Sequence, residues 1–328
     1  MLDAFFPLYA TVFLLSLTVT VLFEKKLIPA LRKKASQPIY EDGPKWHKKK
    51  TGTPTFGGIG FIVAMTISLA FSIPFLVIKG GGEKFISLSL ILSYALLNAL
   101  VGVFDDLTKL KRRKNQGLTP GQKLAAQFLI SSLFLFSRYL LLSERGSLSF
   151  SFGEIDIGFL YYPLALLILV GMVNFANLTD GIDGLATSVA FSVGVVLLFI
   201  SAALSEEIAL VSSALIGVSV GFLVFNLHPA KIFMGDTGSL FLGALTAGCA
   251  VALGNPIIAL FVGAVYVIEG ASVILQVIYY KLTGKRIFKM APIHHHLEQC
   301  GWSENKICIV AILLSFIFAI PTYIFYLP

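Results

Sequence analysis

Apolar residues fall in long runs broken by short polar segments. Ten windows, near 4–23, 56–78, 86–104, 122–142, 159–176, 184–204, 208–227, 238–254, 256–280 and 306–326, approach the roughly 20 residues a helix needs to cross a hydrocarbon core. The eighth is the weakest, because Gly238, Gly243, Gly248 and Gly254 dilute it. Between the fourth and fifth runs, Leu148, Phe150 and Phe152 alternate with Ser147, Ser149 and Ser151, and Ile155 and Ile157 alternate after Gly153. This period of two predicts a small external β-hairpin. With no repeat of fixed period and no low-complexity linker, residues 1–328 read as a single domain, an all-α polytopic integral membrane protein of about ten transmembrane helices.

Composition sharpens that picture. Hydrophobic residues make up 56% of the 328, and charged ones only 13%, against about 25% in an ordinary soluble domain. A soluble enzyme, a disordered chain and a disulfide scaffold are excluded on this ground. Cys249, Cys300 and Cys308 are odd in number and lack metal-ligand spacing. The first apolar run has no basic residues before it, since Met1, Leu2 and Asp3 precede it, so it is expected to remain as a helix.

Basic residues orient the spans, because Lys and Arg accumulate in cytoplasmic loops. Of the 25, 21 fall in the loops after spans one, three, seven and nine; only Lys79, Lys84, Arg138 and Arg145 fall on the other side. Both termini are therefore expected outside and five loops inside. The net charge of +7 is topological first; a nucleic-acid footprint explains it less well, as the basic clusters hug span ends beside an anionic leaflet.

Five acidic residues then stand out in three of those inner loops: Asp105 and Asp106, Asp180 and Asp183, and Asp236. Paired carboxylates repel unless a cation or proton lies between them. Each segment has a bland alternative: a polar helix end for Phe104 to Lys109, an Asp-Gly turn for Asn177 to Gly184, a plain loop for Asn226 to Ser239. In the last of these, which includes Phe233, Gly235 and Gly238 flank the lone acid and permit close backbone approach to a phosphate. Together with Lys50, Lys109 and Lys123, the three segments point to a magnesium and phosphate site, since Mg²⁺ takes one or two carboxylates and completes its shell with waters and substrate phosphates.

The fifth inner loop carries Met290-Ala291-Pro292-Ile293-His294-His295-His296. Consecutive histidines point in different directions and no paired Cys stands nearby, so hydrogen bonding to phosphate or nucleotide is preferred over zinc. Glu269 is an intramembrane acid, a functional candidate by default. Gln276 lies two turns along the same face.

These residues resemble a known family, the polyprenyl-phosphate N-acetylhexosamine-1-phosphate transferases. The likeness covers nearly the whole chain and includes Gly52-Thr53-Pro54-Thr55-Phe56-Gly57-Gly58, the Asp105-Asp106 pair with Lys109, the Asn177 to Gly184 and Asn226 to Gly238 segments, and the triple histidine. The aspartate motifs are shared across the superfamily; the triple histidine resembles its muramoyl-pentapeptide branch. The resemblance implies ten helices with both termini outside, a cytoplasmic active site in a bacterial inner membrane, Mg²⁺ dependence and a homodimer. The implied reaction takes UDP-N-acetylmuramoyl-pentapeptide and undecaprenyl phosphate to the undecaprenyl-diphospho sugar and UMP. By resemblance, Asp236 is the magnesium ligand, Asp105 and Asp106 the catalytic pair, and Lys50 and Lys123 phosphate contacts. Asn177, Asp180 and Asp183 belong to the nucleotide pocket, Asn226 lies beside the metal, and His294 and His295 lie near the sugar-phosphate side. Substrate contacts are also expected from Lys109, Phe233, Gly235, Gln276 and His296. The alternatives are a sister transferase using another UDP-amino sugar and a secondary transporter, which would concentrate polar groups at the bilayer midplane.

Overall fold

A computed structural model of the chain describes residues 2–32, 52–112, 117–144 and 146–326. Lys50, with the rest of the basic loop after the first span, lies outside the described residues. Nearly everything described is helical: α1 (Leu2–Arg32), α2 (Gly57–Arg112), α3 (Pro120–Leu142), α4 (Tyr161–Thr179), α5 (Leu185–Leu204), α6 (Glu206–Asn226), α7 (Gly235–Ala252), α8 (Ile258–Val262), α9 (Ala264–Thr283), α10 (Ile293–Gln299) and α11 (Glu304–Tyr326). Among the described residues, nine helical segments are long and apolar enough to cross a membrane. Two of them make up α2, which is two helices joined at a kink at Gly81, whose φ of 77° is left-handed backbone that glycine adopts without strain.

The weak eighth run is α7, and its weakness has a physical cause. Every residue from Thr237 to Val251 is buried, so α7 is the axis of the bundle, packed between α2 and α4. Helices in lipid gain little from apolar bulk and associate through close backbone packing. A Cβ on Gly238 would lie 2.8 Å from the Phe61 ring of α2, one on Gly243 2.5 Å from Met172 O of α4 and one on Gly248 3.3 Å from the Tyr94 ring of α2, while Gly58 and Gly102 of α2 lie against the backbone at Gly238 and Asp236 in turn. The glycines that dilute the hydropathy of this helix are what let its neighbours approach.

The ninth run differs from the continuous span expected. It divides at Gly263 into the short α8 and the spanning α9. The expected hairpin forms from β1 (Ser147–Phe150) and β2 (Gly153–Asp156), antiparallel, with Leu148 opposite Ile155. It docks on helix ends: Ser151 N donates to Phe325 O at 2.7 Å, Ser149 N donates to Gly254 O at 3.1 Å, and Phe150 stacks on Tyr326. The hairpin thus seals the end of the bundle where α7 finishes. At the other end the C-termini of α2, α4 and α6 and the N-termini of α3 and α7 come together, and there the acidic segments meet.

Candidate active site

The C-terminal turns of α2 carry Asp105, Asp106 and Lys109 on neighbouring positions of one face, since residues three and four apart are adjacent on a helix. Lys109 Nζ lies 2.7 Å from Asp105 Oδ2, 2.9 Å from Asp236 Oδ1 and 3.8 Å from Asp106 Oδ1. The N-terminus of α3 supplies a second ammonium. Thr119 and Gln122 form a reciprocal cap there, which fixes the turn presenting Lys123, and its Nζ lies 3.0 Å from Asp105 Oδ1 and also pairs with Asp236 Oδ2. Carboxylate oxygens of Asp105, Asp106 and Asp236 lie within 4.8 Å of one another.

The two members of the acidic pair have different surroundings. Asp105 Oδ1 also accepts from Leu118 N at 2.8 Å, so it joins the α2 to α3 turn to the lysines. Asp106 instead holds the start of α7, accepting from Asp236 N at 3.2 Å, Thr237 N at 3.0 Å and Thr237 Oγ1 at 2.7 Å. A carboxylate here meets the free N–H groups and positive dipole end of a helix. Gly235 makes this possible: its φ is 70°, and a Cβ would stand 2.6 Å from Asp106 Oδ2 and 2.9 Å from Thr55 Oγ1.

The segment before α7 is pinned by the Thr53 to Gly58 motif. Phe233 N donates to Pro54 O, Gly57 N to Phe233 O and Gly58 N to Met234 O, all within 3.0 Å. Asn226, buried at the end of α6, accepts from Thr187 Oγ1 and donates to Ile232 O, both at 2.9 Å. Asn226 and Phe233 therefore shape the loop that delivers Asp236. Asn177 Nδ2 donates to Ser239 Oγ at 2.8 Å, linking α4 to α7.

Asp180 and Asp183 sit three residues apart in different environments. Asp180 feels the carboxylate cluster: burial, followed by the charges of Asp236 and Asp106, pushes its pKa from 3.8 up to about 8. Asp183 turns away from that cluster. Its Oδ2 lies 2.9 Å from His228 Nδ1 and accepts from Ala230 N at 3.0 Å, while its own N–H donates to Glu304 Oε2 at 2.7 Å. Glu304 Oε1 is 3.1 Å from the same His228 nitrogen.

The histidines have separate partners as well. His294 is fully buried, with Nδ1 3.0 Å from Glu269 Oε2 and its ring edge-on to His295 at 4.2 Å. His295 Nδ1 pairs with Glu298 Oε2 at 2.7 Å. His296 Nδ1 accepts from Lys289 N at 3.2 Å. Gln276 is engaged by backbone: its Oε1 accepts from Ile287 N and Phe288 N, each at 3.0 Å, and Nε2 donates to Phe288 O at 3.2 Å. Gln276 and His296 thus shape the loop between α9 and α10.

The family model of glycosyl transferase family 4 matches residues 87–254, which contain Asp105, Asp106, Asp180, Asp183 and Asp236. The phospho-N-acetylmuramoyl-pentapeptide-transferase of Clostridium perfringens (strain 13 / Type A) is 42% identical over 315 residues, 95% of this chain and 96% of that protein. The protein of the same name from Shouchella clausii (strain KSM-K16) is 43% identical over 319 residues, 94% of each chain. That from Acetivibrio thermocellus is 40% identical over 306 residues, 91% of this chain and 89% of the relative. The chain belongs to the phospho-N-acetylmuramoyl-pentapeptide transferases.

For a transferase of this family the donor set suits a hard cation. Three carboxylates against two ammonium groups leave one net negative charge, and oxygen ligands within 4.8 Å of one another match the taste of Mg²⁺ for carboxylate. His228, Thr237 and Ser239 lie within the Asn226 to Ser239 segment, where the sequence assigns them no role of their own, and Glu304 lies outside every motif of this transferase. Each acts through a partner distant in the chain, and a lone hydroxyl, histidine or first-turn acid carries no local sign of such a partner.

Proposed function

We propose that this chain is an Mg²⁺-dependent enzyme that transfers phospho-N-acetylmuramoyl-pentapeptide from UDP-N-acetylmuramoyl-pentapeptide to undecaprenyl phosphate and releases UMP. Its active site lies on the cytoplasmic face of a bacterial inner membrane, and the working form is a homodimer. The observation that carries the chemistry is the meeting of Asp105, Asp106 and Asp236 around Lys109 and Lys123 at one end of a membrane bundle. The names of relatives about 42% identical over nearly the whole chain support the substrate. The excess of basic residues in the loops at that end supports the cytoplasmic side.

Phosphoryl transfer depends mainly on positioning and charge neutralisation. Asp236 and Asp105 offer the oxygens to hold the ion, which when bound neutralises charge on the diphosphate. Lys109 and Lys123 supply fixed positive charge to the phosphates, with Lys50 as a further phosphate contact. Asn177 and Asp180 border the nucleotide, and His294 and His295 the sugar-phosphate side. An oxygen of the lipid phosphate forms a bond to the sugar-linked phosphorus, and the bond from that phosphorus to the UMP phosphate breaks.

No strong base is required. A phosphate monoester has its second pKa near 6, so at pH 7 the acceptor is largely deprotonated, while a free Asp ionises at about 3.9. Asp105 is bound to Leu118 N and two lysines and Asp106 to three donors on α7. Those commitments favour a positioning role and a direct displacement over an aspartyl-phosphate intermediate. The test is purified protein with polyprenyl phosphate, Mg²⁺ and a panel of UDP-amino sugars, scored for UMP release. Release confined to UDP-N-acetylmuramoyl-pentapeptide and abolished by chelator is expected; release only with another UDP-amino sugar overturns the substrate.

A further inference from the structure

Beyond the motif aspartates, a buried acid stands beside the triple histidine. Glu269 lies on the inward face of α9 and is 3% exposed. Its Oε2 stands 3.0 Å from His294 Nδ1 and accepts from His294 N at 3.3 Å. One carboxylate oxygen therefore grips both the ring and the backbone of the same histidine, across 25 residues of chain.

That grip decides the state of the imidazole. With a carboxylate at Nδ1, the neutral ring carries its proton there and leaves Nε2 as the free lone pair. His294 is fully buried, yet Nε2 has no hydrogen-bond partner. A buried polar atom without a partner is costly, and such atoms recur where a ligand supplies what the protein withholds. Nε2 faces the Gly181 backbone: a Cβ built there would collide with it. Gly181 follows Asp180, the residue that feels the charges of Asp236 and Asp106. Only a residue without a Cβ fits before Nε2, and the His295 ring confines the imidazole at 4.2 Å.

We propose that Glu269 is a positioning residue that acts through His294, locking the imidazole with Nδ1 protonated and Nε2 directed across Gly181 at the phosphate of the bound sugar nucleotide. When that phosphate arrives, Nε2 takes a proton from solvent and donates it in a hydrogen bond to a phosphate oxygen, while the Glu269 carboxylate balances the imidazolium. No bond to phosphorus is made by the histidine. This inference rests on the phosphoryl-transfer function proposed above.

The test is a double-mutant cycle of UMP release by the full-length enzyme in detergent, with separate kcat and KM for UDP-N-acetylmuramoyl-pentapeptide. If the unmutated enzyme releases no UMP, the proposed function fails and the cycle is not reached. With turnover in hand, Glu269→Ala and His294→Ala are each expected to lower kcat about tenfold or more, with KM changed less than about threefold, and the double variant to be no slower than His294→Ala. Glu269→Gln separates positioning from folding. Gln keeps an oxygen for Nδ1 and for the His294 backbone N–H but loses the charge that balances the imidazolium, so kcat is expected between those of the unmutated enzyme and Glu269→Ala, with the loss growing as pH rises. Full activity of Glu269→Ala, or a double variant slower than His294→Ala by the full factor of Glu269→Ala, overturns the proposal. So does a Glu269→Gln protein that folds, by an unchanged melting transition, and keeps the full kcat of the unmutated enzyme at every pH.

Discussion

The Lys109 ammonium lies 2.9 Å from Asp236 Oδ1, joining two helices across 127 residues of chain. Because the same nitrogen is 2.7 Å from Asp105 Oδ2, it is the common counter-ion of the site. Removing one partner of a largely buried ion pair strands the other charges and costs about 3–5 kcal/mol. Lys109→Met is therefore expected to lower the melting temperature in chelator. Mg²⁺ should restore more of that loss in the variant than it adds to the unmutated protein, since a cation then meets one more uncompensated carboxylate. Thermal unfolding in detergent with and without Mg²⁺ checks this, and equal Mg²⁺ responses in the two proteins would contradict it.

Asp106 and Asp236 are expected to fail in different ways. Asp106→Asn removes the charge that accepts Thr237 N and Thr237 Oγ1, and hydrogen bonds to charged groups contribute about 1.5–3 kcal/mol each. It should lower stability by at least that much. Asp236→Asn should lower activity by orders of magnitude and abolish the Mg²⁺-dependent part of UDP-sugar binding. Calorimetric titration of each variant with and without Mg²⁺, beside a melting curve, distinguishes them; a metal response that survives in Asp236→Asn reassigns the ligand.

Asp180 predicts a pH dependence of defined sign. Its pKa rises from 3.8 to about 8 on folding, so between those values the folded chain holds a proton that the unfolded chain has released. Stability in chelator should therefore fall as pH rises from about 4 to 8 and level off above that. Asp180→Asn removes this contribution, so its melting temperature relative to the unmutated protein should be more favourable at pH 8 than at pH 5. A difference independent of pH would show that Asp180 is ionised throughout.

Topology has a direct check. Gly82 and Gly121 are both exposed, with nothing within 4 Å of a Cβ built on either. After Cys300, the exposed native thiol, is replaced, Gly82→Cys should react with a membrane-impermeant thiol reagent in intact cells and Gly121→Cys should not. The opposite labelling would invert the bundle and move the site to the outer face.

Local pattern was enough for nine spans among the described residues, for the hairpin and for the acidic segments. A run of about 20 apolar residues has one good solution in lipid, since every backbone polar group must be satisfied within the segment. Leu148 and Phe150 could be placed on one strand for a similar reason, because a period of two needs only neighbours. Charge at the span ends likewise marked which loops belong together. What the sequence alone determined was therefore the class of fold, the one-sided grouping of Asp105, Asp106, Asp180 and Asp236, and, through its family motifs, the chemistry expected of them.

Only the tertiary structure decided which of those residues touch. Asp180 and Asp183 share one Asp-Gly pattern, yet one feels the charges of the carboxylate cluster and the other holds Ala230 and His228 in the loop after α6. Gln276, expected at the substrate, has its amide engaged by the backbone at 287 and 288. Glu269 drew notice as a charge in a membrane span, but its partner His294 lies beyond the loop that closes back from α9 to α10. A run of hydropathy reports only what a segment needs from its solvent; the pairing of buried polar groups depends on helix packing, and in α7 that packing is set by glycines whose lack of a side chain weakens the very signal by which the helix is found.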